Sequence, residues 1–235
     1  MSEKSLLSDL AAHLYAKSAA ENGRTPSERE LAEHFGVSRG QIRETLAVLE
    51  AMRIVERRAK SGIFLTTRFA SVDAMALFAQ AGLPLDPIQI YETVELRKIH
   101  EIKAAELASQ RATEENFDRI REVLDRSEAR IAEGQPLAEE DRDFHLEIVR
   151  ATQNSVFYNV CSVYYAMGVR RLPVYFSEPE RNRQSHAEHI QIFEALRRRD
   201  ANLAQALMSS HLQGAEGYWK GLISGSQDAP MSARV

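Results

Sequence analysis

The sequence predicts a mainly α-helical protein with two domains, an N-terminal winged helix-turn-helix and a C-terminal all-α bundle of six to seven helices. Three observations carry this prediction. Two short segments near the N-terminus each open with a helix-capping pattern, at Ser27 and at Ser38. Two β-type runs joined by a turn follow within residues 54–67. From residue 86 onward, apolar residues recur at helical spacing and no strand pattern appears.

Length and composition are those of an ordinary globular protein. The 235 residues suit two domains, and 44% hydrophobic with 27% charged residues argues against disorder. The single cysteine, Cys161, excludes a disulfide framework and a cysteine-based zinc site. No apolar run approaches the roughly 20 residues that cross a bilayer, and the polar N-terminus carries no apolar signal core. We therefore expect a cytoplasmic protein without a membrane partner.

Four segments are expected along the chain. Residues 1–67 form the winged helix-turn-helix, 68–85 a linker with a short helix, 86–225 the all-α domain, and 226–235 a frayed tail. The net charge is −4, but basic residues slightly outnumber acidic ones in the first segment, whereas acidic residues dominate the remainder. This asymmetry has the sign expected if only the first segment touches phosphate.

The first segment is predicted to hold three helices and a hairpin. Leucines from Leu6 to Leu14 recur at helical spacing and predict the first helix. The capping pattern at Ser27 opens the second helix, and Gly36 supplies the turn to the third. The runs 54–58 and 63–67 are predicted strands joined by a tight turn. This order of elements is that of a winged helix-turn-helix.

The helix that begins after Ser38 is predicted to read DNA. Its apolar face comprises Ile42, Leu46, Leu49 and Met52. The opposite face presents Arg39, Gln41 and Arg43. A helix with a pinned apolar side and arginines near its exposed N-terminus suits the major groove. The alternative interpretation is a merely solvated helix face.

Two runs in this segment match a known family. The stretch Pro26 to Arg39 is Pro-Ser-Glu-Arg-Glu-Leu-Ala-Glu-His-Phe-Gly-Val-Ser-Arg, and Ile-Arg-Glu-Thr-Leu follows at residues 42–46. Together they resemble the N-terminal domain of GntR-family bacterial transcription regulators. In that family, the arginine of the Glu-Arg-Glu motif and two arginines of the recognition helix contact DNA. The resemblance therefore implies DNA contacts by Arg29, Arg39 and Arg43.

The resemblance extends these contacts to the tip of the wing, at Lys60, Ser61 and Gly62. Ser38 and Gln41, at the start of the predicted recognition helix, are assigned to the DNA-binding surface as well. Family members often carry Thr-Pro after the first arginine of the recognition helix, whereas this chain has Gly40-Gln41. A glutamine amide can read a base edge, so the departure leaves the operator sequence open. Lys60 is expected to meet phosphate, which adds affinity without sequence information.

Four residues of the all-α segment have the character of metal ligands. Asp141 and His145 are spaced i, i+4, so both project from one helical face. His189 and His211 lie on two later helices. Imidazole and carboxylate groups on facing helices are how bundles build internal metal sites. A helical histidine taken alone is more often exposed or hydrogen-bonded, so spacing by itself leaves both interpretations open.

The all-α segment also resembles the ligand-binding domain of the FadR subfamily of GntR regulators. The motifs that carry this resemblance are Glu95-Leu-Arg97, Asp141-x-x-Phe-His145, the turn ending at Asn154, His189 and His211. Many members hold a divalent ion, commonly zinc or nickel, on one aspartate and three histidines. The implied ligands are Asp141, His145, His189 and His211. Asp143 and His186 are rivals for two of these places, and the i, i+4 spacing favours Asp141 over Asp143.

In the FadR subfamily the ion leaves coordination positions for a small carboxylate effector, which the resemblance implies here too. Arg97 is a candidate second anchor, because guanidinium pairs bidentately with a carboxylate. The alternative is an ion pair of Arg97 with Glu95 or Glu101. The other residues assigned to the effector site are Asn154, Tyr164 and Arg170. Tyr164, Tyr165 and Arg170 can line a cavity, or else be ordinary core and surface residues.

The predicted function is a ligand-responsive transcription regulator, a repressor of a catabolic or metabolic operon. A homodimer would place two winged helices on a palindromic double-stranded DNA operator. A small organic or sugar acid entering the bundle would then shift the two heads. One alternative keeps DNA binding but makes the histidine cluster empty or structural. A metal-dependent hydrolase is the other alternative, but the chain has no His-Glu-x-x-His motif and no assignable general base, so we expect no enzyme.

Overall fold

The computed structural model confirms the mainly α-helical fold class with one small β-hairpin. It describes residues 3–18, 24–58, 62–66, 74, 76–77, 87–167 and 172–225. The chain divides into two compact units, Met1–Leu85 and Asp86–Val235. The assignments of residues 68–85 as a linker and 226–235 as a frayed tail stay predictions, since most of the first and all of the second lie outside the described residues.

The N-terminal unit contains three helices and the hairpin in the predicted order. Its elements are α1 (Glu3–Ser18), α2 (Glu28–Phe35), α3 (Arg39–Ala51), β1 (Val55–Arg58) and β2 (Gly62–Leu65). One apolar face of each helix is buried in a common core, to which Leu10, Leu31 and Leu46 contribute. Ala74 and Leu77 also belong to this core, so the chain beyond the hairpin still packs on the N-terminal unit.

Both predicted capping boxes are formed. The Ser27 hydroxyl accepts a hydrogen bond from the Glu30 backbone N–H at 3.3 Å, and the Ser27 backbone N–H donates to the Glu30 carboxylate at 2.8 Å. Ser38 and Gln41 repeat the arrangement at the start of α3. Gly36 ends α2 with φ 64°, a left-handed conformation that glycine adopts without steric cost. Local sequence therefore determines the turn between α2 and α3.

The hairpin is antiparallel, with Val55 opposite Leu65 and Arg58 opposite Gly62. Gly62, predicted at the tip of the wing, instead begins the return strand with φ 111°. The strand ends at Leu65, short of the predicted end at residue 67. The Thr25 backbone N–H donates to the Ile63 carbonyl at 2.9 Å, which ties the hairpin to the segment before α2. Strand β2 is thus hydrogen-bonded on one edge to β1 and on the other to Thr25.

The C-terminal unit is helical throughout its described residues. Its helices are α4 (Pro87–Arg111), α5 (Glu114–Ala132), α6 (Ala138–Arg150), α7 (Ser155–Met167), α8 (Leu172–Tyr175), α9 (Pro179–Arg197) and α10 (Ala201–Gly225). A capping box at Thr113 opens α5, and the Asp200 carboxylate caps α10 by accepting from the Leu203 backbone N–H at 3.0 Å. The run Ser177-x-x-Glu180 has the pattern of a capping box and predicts that Ser177 caps α9, but this prediction is wrong: the helix begins at Pro179, and the Ser177 hydroxyl donates to the Val174 carbonyl.

The buried face of α4 differs from the predicted one. Helical spacing from Ile90 to Leu107 predicts that Leu96 and Ile99 belong to the buried side of this helix, but they are 38% and 62% exposed. The inward face instead carries Arg97 and Glu101, followed by Ala104 and further alanines that pack in the bundle core. The inward face of α4 is therefore defined by Arg97 and Glu101 rather than by Leu96 and Ile99, because α4 contributes to a polar cluster inside the bundle.

Among the described residues, no helix combines the length and apolarity that a membrane span needs.

Candidate metal centre and DNA-binding surface

Three helices bring the four predicted ligands together inside the bundle. Helix α6 supplies Asp141 and His145, α9 supplies His189, and α10 supplies His211. One donor atom from each of the four lies within 4.8 Å of all the others. Asp141, His145 and His189 are buried. The i, i+4 spacing on α6 does what the sequence predicted, since both side chains point to the same interior point.

The donor atoms have separations that suit a single small cation. The Nε2 atom of His211 lies 3.2 Å from the Nε2 atoms of both His145 and His189. The Asp141 Oδ1 atom lies 3.6 Å and 3.5 Å from the same two atoms. Nitrogen ligands at about 2.0–2.1 Å from one ion lie about 3 Å apart at right angles and about 3.3 Å apart at tetrahedral angles, so these separations do not require a closed four-coordinate ion. The four residues therefore fit a zinc-sized ion.

Hydrogen bonding alone cannot satisfy this cluster. The Nδ1 atom of His211 lies 2.6 Å from the Glu188 carboxylate, which can only accept, so Nδ1 carries a proton. In the neutral form of this ring, Nε2 has one lone pair and lies 3.2 Å from the Nε2 atoms of both His145 and His189. One lone pair cannot meet two neighbours by ordinary hydrogen bonds, whereas a bound cation accepts all three nitrogens.

Electrostatics favour the coordinating forms of Asp141 and His189 but not that of His145. Burial acts to lower the pKa of His145, but Glu101 and Asp141 outweigh it and raise the pKa, so metal binding there competes with protonation. Burial acts to raise the pKa of Asp141, but His145 and Arg97 outweigh it and hold the pKa below its usual range. Burial and the neighbouring His211 and His145 lower the pKa of His189 well below its usual value. An ionised carboxylate beside a neutral imidazole is the state that binds a metal.

The rival ligands lie outside this set. Asp143 forms ion pairs with Arg126 at 3.1 Å and Arg142 at 2.8 Å. His186 is partly buried on α9, and burial lowers its pKa. The direction in which each side chain leaves its helix therefore brings Asp141 rather than Asp143, and His189 rather than His186, into the cluster.

Arg97 lies beside the cluster and is paired within the bundle. Its Nε donates to Glu101 Oε1 at 2.7 Å, which is one of the two predicted alternatives. A terminal guanidinium nitrogen is 3.9 Å from Asp141 Oδ2 and 3.5 Å from the Tyr165 hydroxyl. The Tyr165 hydroxyl in turn donates to Glu101. Sequence reasoning missed Glu101 as a member of the site, although its i+4 spacing from Arg97 was a usable signal.

The other predicted effector residues have different positions. Asn154 is exposed, and its Oδ1 accepts the Phe157 backbone N–H at 3.0 Å, which caps α7. Tyr164 is partly buried on α7, with its ring edge-on to Tyr165. Arg170 lies outside the described residues. The effector roles of all three stay predictions.

The predicted DNA-reading residues of α3 lie on its exposed side. Ser38, Arg39 and Gln41 are exposed at the start of the helix. The Gln41 side-chain oxygen accepts from both the backbone N–H and the hydroxyl of Ser38, each at 3.0 Å. This oxygen is therefore used by the cap, and only the amide N–H groups of Gln41 can face a base.

Three arginines of this surface form ion pairs with acidic residues. Arg43 Nε donates to Glu28 Oε2 at 2.6 Å, and Arg29 lies 3.9 Å from Glu33. Arg57 of β1 lies 3.6 Å from the same Glu28. One carboxylate on α2 therefore pairs with an arginine of the recognition helix and with an arginine of the wing. The sequence prediction did not include Glu28 or Arg57.

The wing residues of the prediction are only partly described. Gly62 lies at the start of β2, whereas Lys60 and Ser61 fall outside the described residues.

Family models match both units. Residues 4–65 match the model described as bacterial regulatory proteins, gntR family, and residues 92–214 match the FCD domain. LutR of Bacillus subtilis, an HTH-type transcriptional regulator, is 28% identical over 83% of this chain and 90% of its own. The Uxu operon regulator of Haemophilus influenzae is 27% identical over 82% and 72%. The transcriptional repressor NanR of Cronobacter sakazakii is 27% identical over 86% and 79%.

A solved structure supports the fold independently. Lar, described as controlling the expression of the Listeria monocytogenes agr system, superposes with a TM-score of 0.67 at 17% identity, over 92% of this chain and 97% of its own. At that identity the likeness concerns the fold alone. The two family matches account for both units of the chain and name their type. The chain is a DNA-binding transcription regulator rather than an enzyme, and it belongs to the GntR family in its FCD-domain, FadR-type branch.

Proposed function

We propose that this protein is a cytoplasmic, ligand-responsive repressor of a catabolic or metabolic operon. It binds a palindromic operator as a homodimer and senses a small carboxylate, an organic or sugar acid, at a metal ion in its bundle. The observation that carries the proposal is the convergence of Asp141 with three histidines inside the C-terminal unit. Relatives that are named repressors or operon regulators support the regulatory part.

The metal part of the proposal rests on the donor set. Asp141, His145, His189 and His211 would hold the ion, and zinc or nickel suits nitrogen and oxygen donors of this kind. When bound, the ion supplies Lewis-acidic coordination positions for the oxygens of a carboxylate. The protein's contribution is a largely buried, pre-arranged set of one carboxylate and three imidazoles.

The effector part rests on Arg97. Its guanidinium is 3.9 Å from the ligand Asp141 and only 11% of its side chain is exposed. A carboxylate at the ion would therefore lie within reach of a buried positive charge, and bidentate pairing would orient it. Such an effector would compete with Glu101, which now holds Arg97 at 2.7 Å. Tyr164 and Arg170 are proposed to line the same cavity, and Asn154 its approach.

The DNA part rests on α3 and the wing. Arg39 and Arg43 are exposed on the recognition helix, and either can fork onto a guanine edge. A two-fold symmetric dimer would bring two such helices to adjacent major grooves, which requires a palindromic site. The effector acts as an allosteric ligand only if it binds the DNA-competent and DNA-incompetent states with different affinity.

Metal content and effector binding test the proposal together. Full-length protein is stripped with a chelator, reloaded with zinc or nickel, and assayed for ion content beside His189→Ala. Carboxylates are then screened by thermal shift, because a bound ligand raises stability as RT ln(1 + [L]/Kd). We expect one ion per chain in the wild type, none in the variant, and a carboxylate shift only in the loaded protein.

A DNA-binding regulator without a functional metal site is the second candidate. The capping role of Asn154 and the internal pairing of Arg97 with Glu101 favour it. Operators selected from a random DNA library separate the two candidates. Release of such an operator by a carboxylate that requires the ion supports the first candidate, and binding that responds to neither ion nor carboxylate supports the second.

A further inference from the structure

Two carboxylates outside the four candidate ligands contact the outward-facing nitrogens of the cluster histidines. Glu188 on α9 places Oε2 2.6 Å from Nδ1 of His211 on α10. Glu101 on α4 places Oε2 2.7 Å from Nδ1 of His145 on α6. Glu188 is placed to accept a hydrogen bond from Nδ1 of His211, whereas Glu101 and His145 make a close charge contact outside hydrogen-bond geometry. In the neutral form of each ring, a proton on the Nδ1 that faces the carboxylate leaves the Nε2 lone pair directed to the interior of the cluster.

We propose that Glu188 and Glu101 are positioning residues of the cation site, which fix the tautomer and ring orientation of His211 and His145. The inference rests on the proposed metal function. A carboxylate on the second nitrogen of a metal-bound imidazole orients the ring and raises its basicity, and losing such a partner weakens metal binding. Neither glutamate is itself placed as a metal ligand, since each contacts Nδ1 and the cluster lies on the Nε2 side of the ring.

Helix packing alone does not explain Glu101. Its side chain is 3% exposed, and a buried charge is costly unless every lone pair has a partner. One oxygen faces His145, and the other accepts from Arg97 and Tyr165. An apolar residue would fill the same space without this cost. Glu101 thereby connects an ion ligand to Arg97, the proposed effector anchor.

Glu188 gives an independent position for the same role. Its side chain is 34% exposed, so its substitution disturbs the bundle less than a change at Glu101. It also accepts a hydrogen bond from the Gln184 side chain at 3.0 Å, which orients the carboxylate on the surface of α9. Glu188 and Glu101 lie on different helices and at different depths. Each nevertheless contacts the Nδ1 atom of a different cluster histidine.

The test compares Glu188→Gln and Glu101→Gln with two matched controls in the full-length chain. Glutamine keeps the shape and an accepting oxygen but removes the charge. Glu194→Gln, partly buried on the same helix as Glu188, and Glu140→Gln, a buried carboxylate 3.6 Å from Arg130, serve as controls. The dissociation constant for zinc is measured by competition with a chelator, and the visible absorption of the cobalt-loaded protein reports ligand geometry.

We expect each positioning variant to bind zinc about 10- to 100-fold more weakly and to show an altered cobalt spectrum, while both controls match the wild type. Metal-free unfolding is measured for every variant, so a folding defect at Glu101 leaves Glu188→Gln as the deciding case. Unchanged zinc affinity and spectrum in Glu188→Gln, with a wild type that binds zinc, overturns this inference alone. A wild type that binds no zinc, nickel or cobalt overturns the metal part of the proposed function as well.

Discussion

The two units of this protein use charged side chains in opposite ways. In the N-terminal unit, Arg43 is paired with Glu28 but its side chain is 66% exposed. In the bundle, Glu101 and Asp141 are only 3% and 4% exposed, and Oε2 of Glu101 has no hydrogen-bond partner in the part of the chain that the structure describes. Exposed ion pairs contribute only about 0–1 kcal/mol, so Arg43 can exchange Glu28 for DNA at little cost. Buried charges need complete partners, and in the proposed function a cation would supply them to the bundle's cluster.

The two units also differ in what stabilises them. The N-terminal unit depends on a continuous apolar core with its charges outside, whereas the bundle has an apolar core and a separate polar interior. Removing a core residue should therefore affect folding in the first unit, and removing a cluster residue should affect ion binding in the second.

The largest expected effect is loss of the ion. His189→Ala removes a ligand from the buried set and should abolish stoichiometric zinc binding in the full-length chain, measured by elemental analysis after gel filtration. The matched control is His100→Ala, because His100 is partly buried in the same unit but packs against Phe157. Full zinc content in His189→Ala, or equal loss in His100→Ala, would contradict the assignment of the cluster.

The next effect concerns the core of the N-terminal unit. Leu46→Ala removes a side chain that is 1% exposed, and we expect the free energy of unfolding of this unit to fall by about 2–5 kcal/mol. Chemical denaturation followed by circular dichroism measures it. Val48→Ala on the same helix is the control, since Val48 is 46% exposed and should change stability by less than about 0.5 kcal/mol. Similar effects in both variants would break the contrast between core and surface.

A smaller effect is expected on DNA binding. Arg43→Ala removes one base-reading guanidinium and should weaken binding to a selected operator by about 1–3 kcal/mol, measured by fluorescence anisotropy at fixed salt. Arg198→Ala, an exposed arginine at the end of α9, removes the same charge from the bundle. Equal weakening by both variants would mean that net charge, rather than the recognition helix, determines affinity.

The smallest expected effect is a pH dependence of the stability of the N-terminal unit. The rings of His13 and His34 lie 4.1 Å apart, and burial, His34 and Lys17 lower the pKa of His13 from its usual 6.5. Since the folded pKa is depressed, the stability from neutral His13 is present above pH 6.5 and declines as pH falls below that value. Histidine ring resonances in NMR titrations measure it, and His34→Gln should raise the pKa of His13. A His13 that titrates at 6.5 or above would refute the effect.

Local sequence was sufficient for the framework of the N-terminal unit. Ser27 and Ser38 predicted both capping boxes, and Gly36 predicted the left-handed turn between them, because each depends on residues three or four positions apart. The residue spacing on α6 likewise predicted that Asp141 and His145 share a face. These contacts lie within one helical turn, where sequence and geometry are directly related.

Only the tertiary structure decided which residues from distant helices meet. It brought Glu101, Asp141, His189 and His211 together from four helices, and turned Leu96 and Ile99 outward where apolar pattern had placed them inside. It also paired Arg43 with Glu28 across two helices. Helical periodicity defines faces but does not specify which face meets which neighbour, since that depends on how whole helices pack. The sequence by itself determined the caps, the turn and the candidate ligands, and packing determined the cluster and the carboxylates behind it.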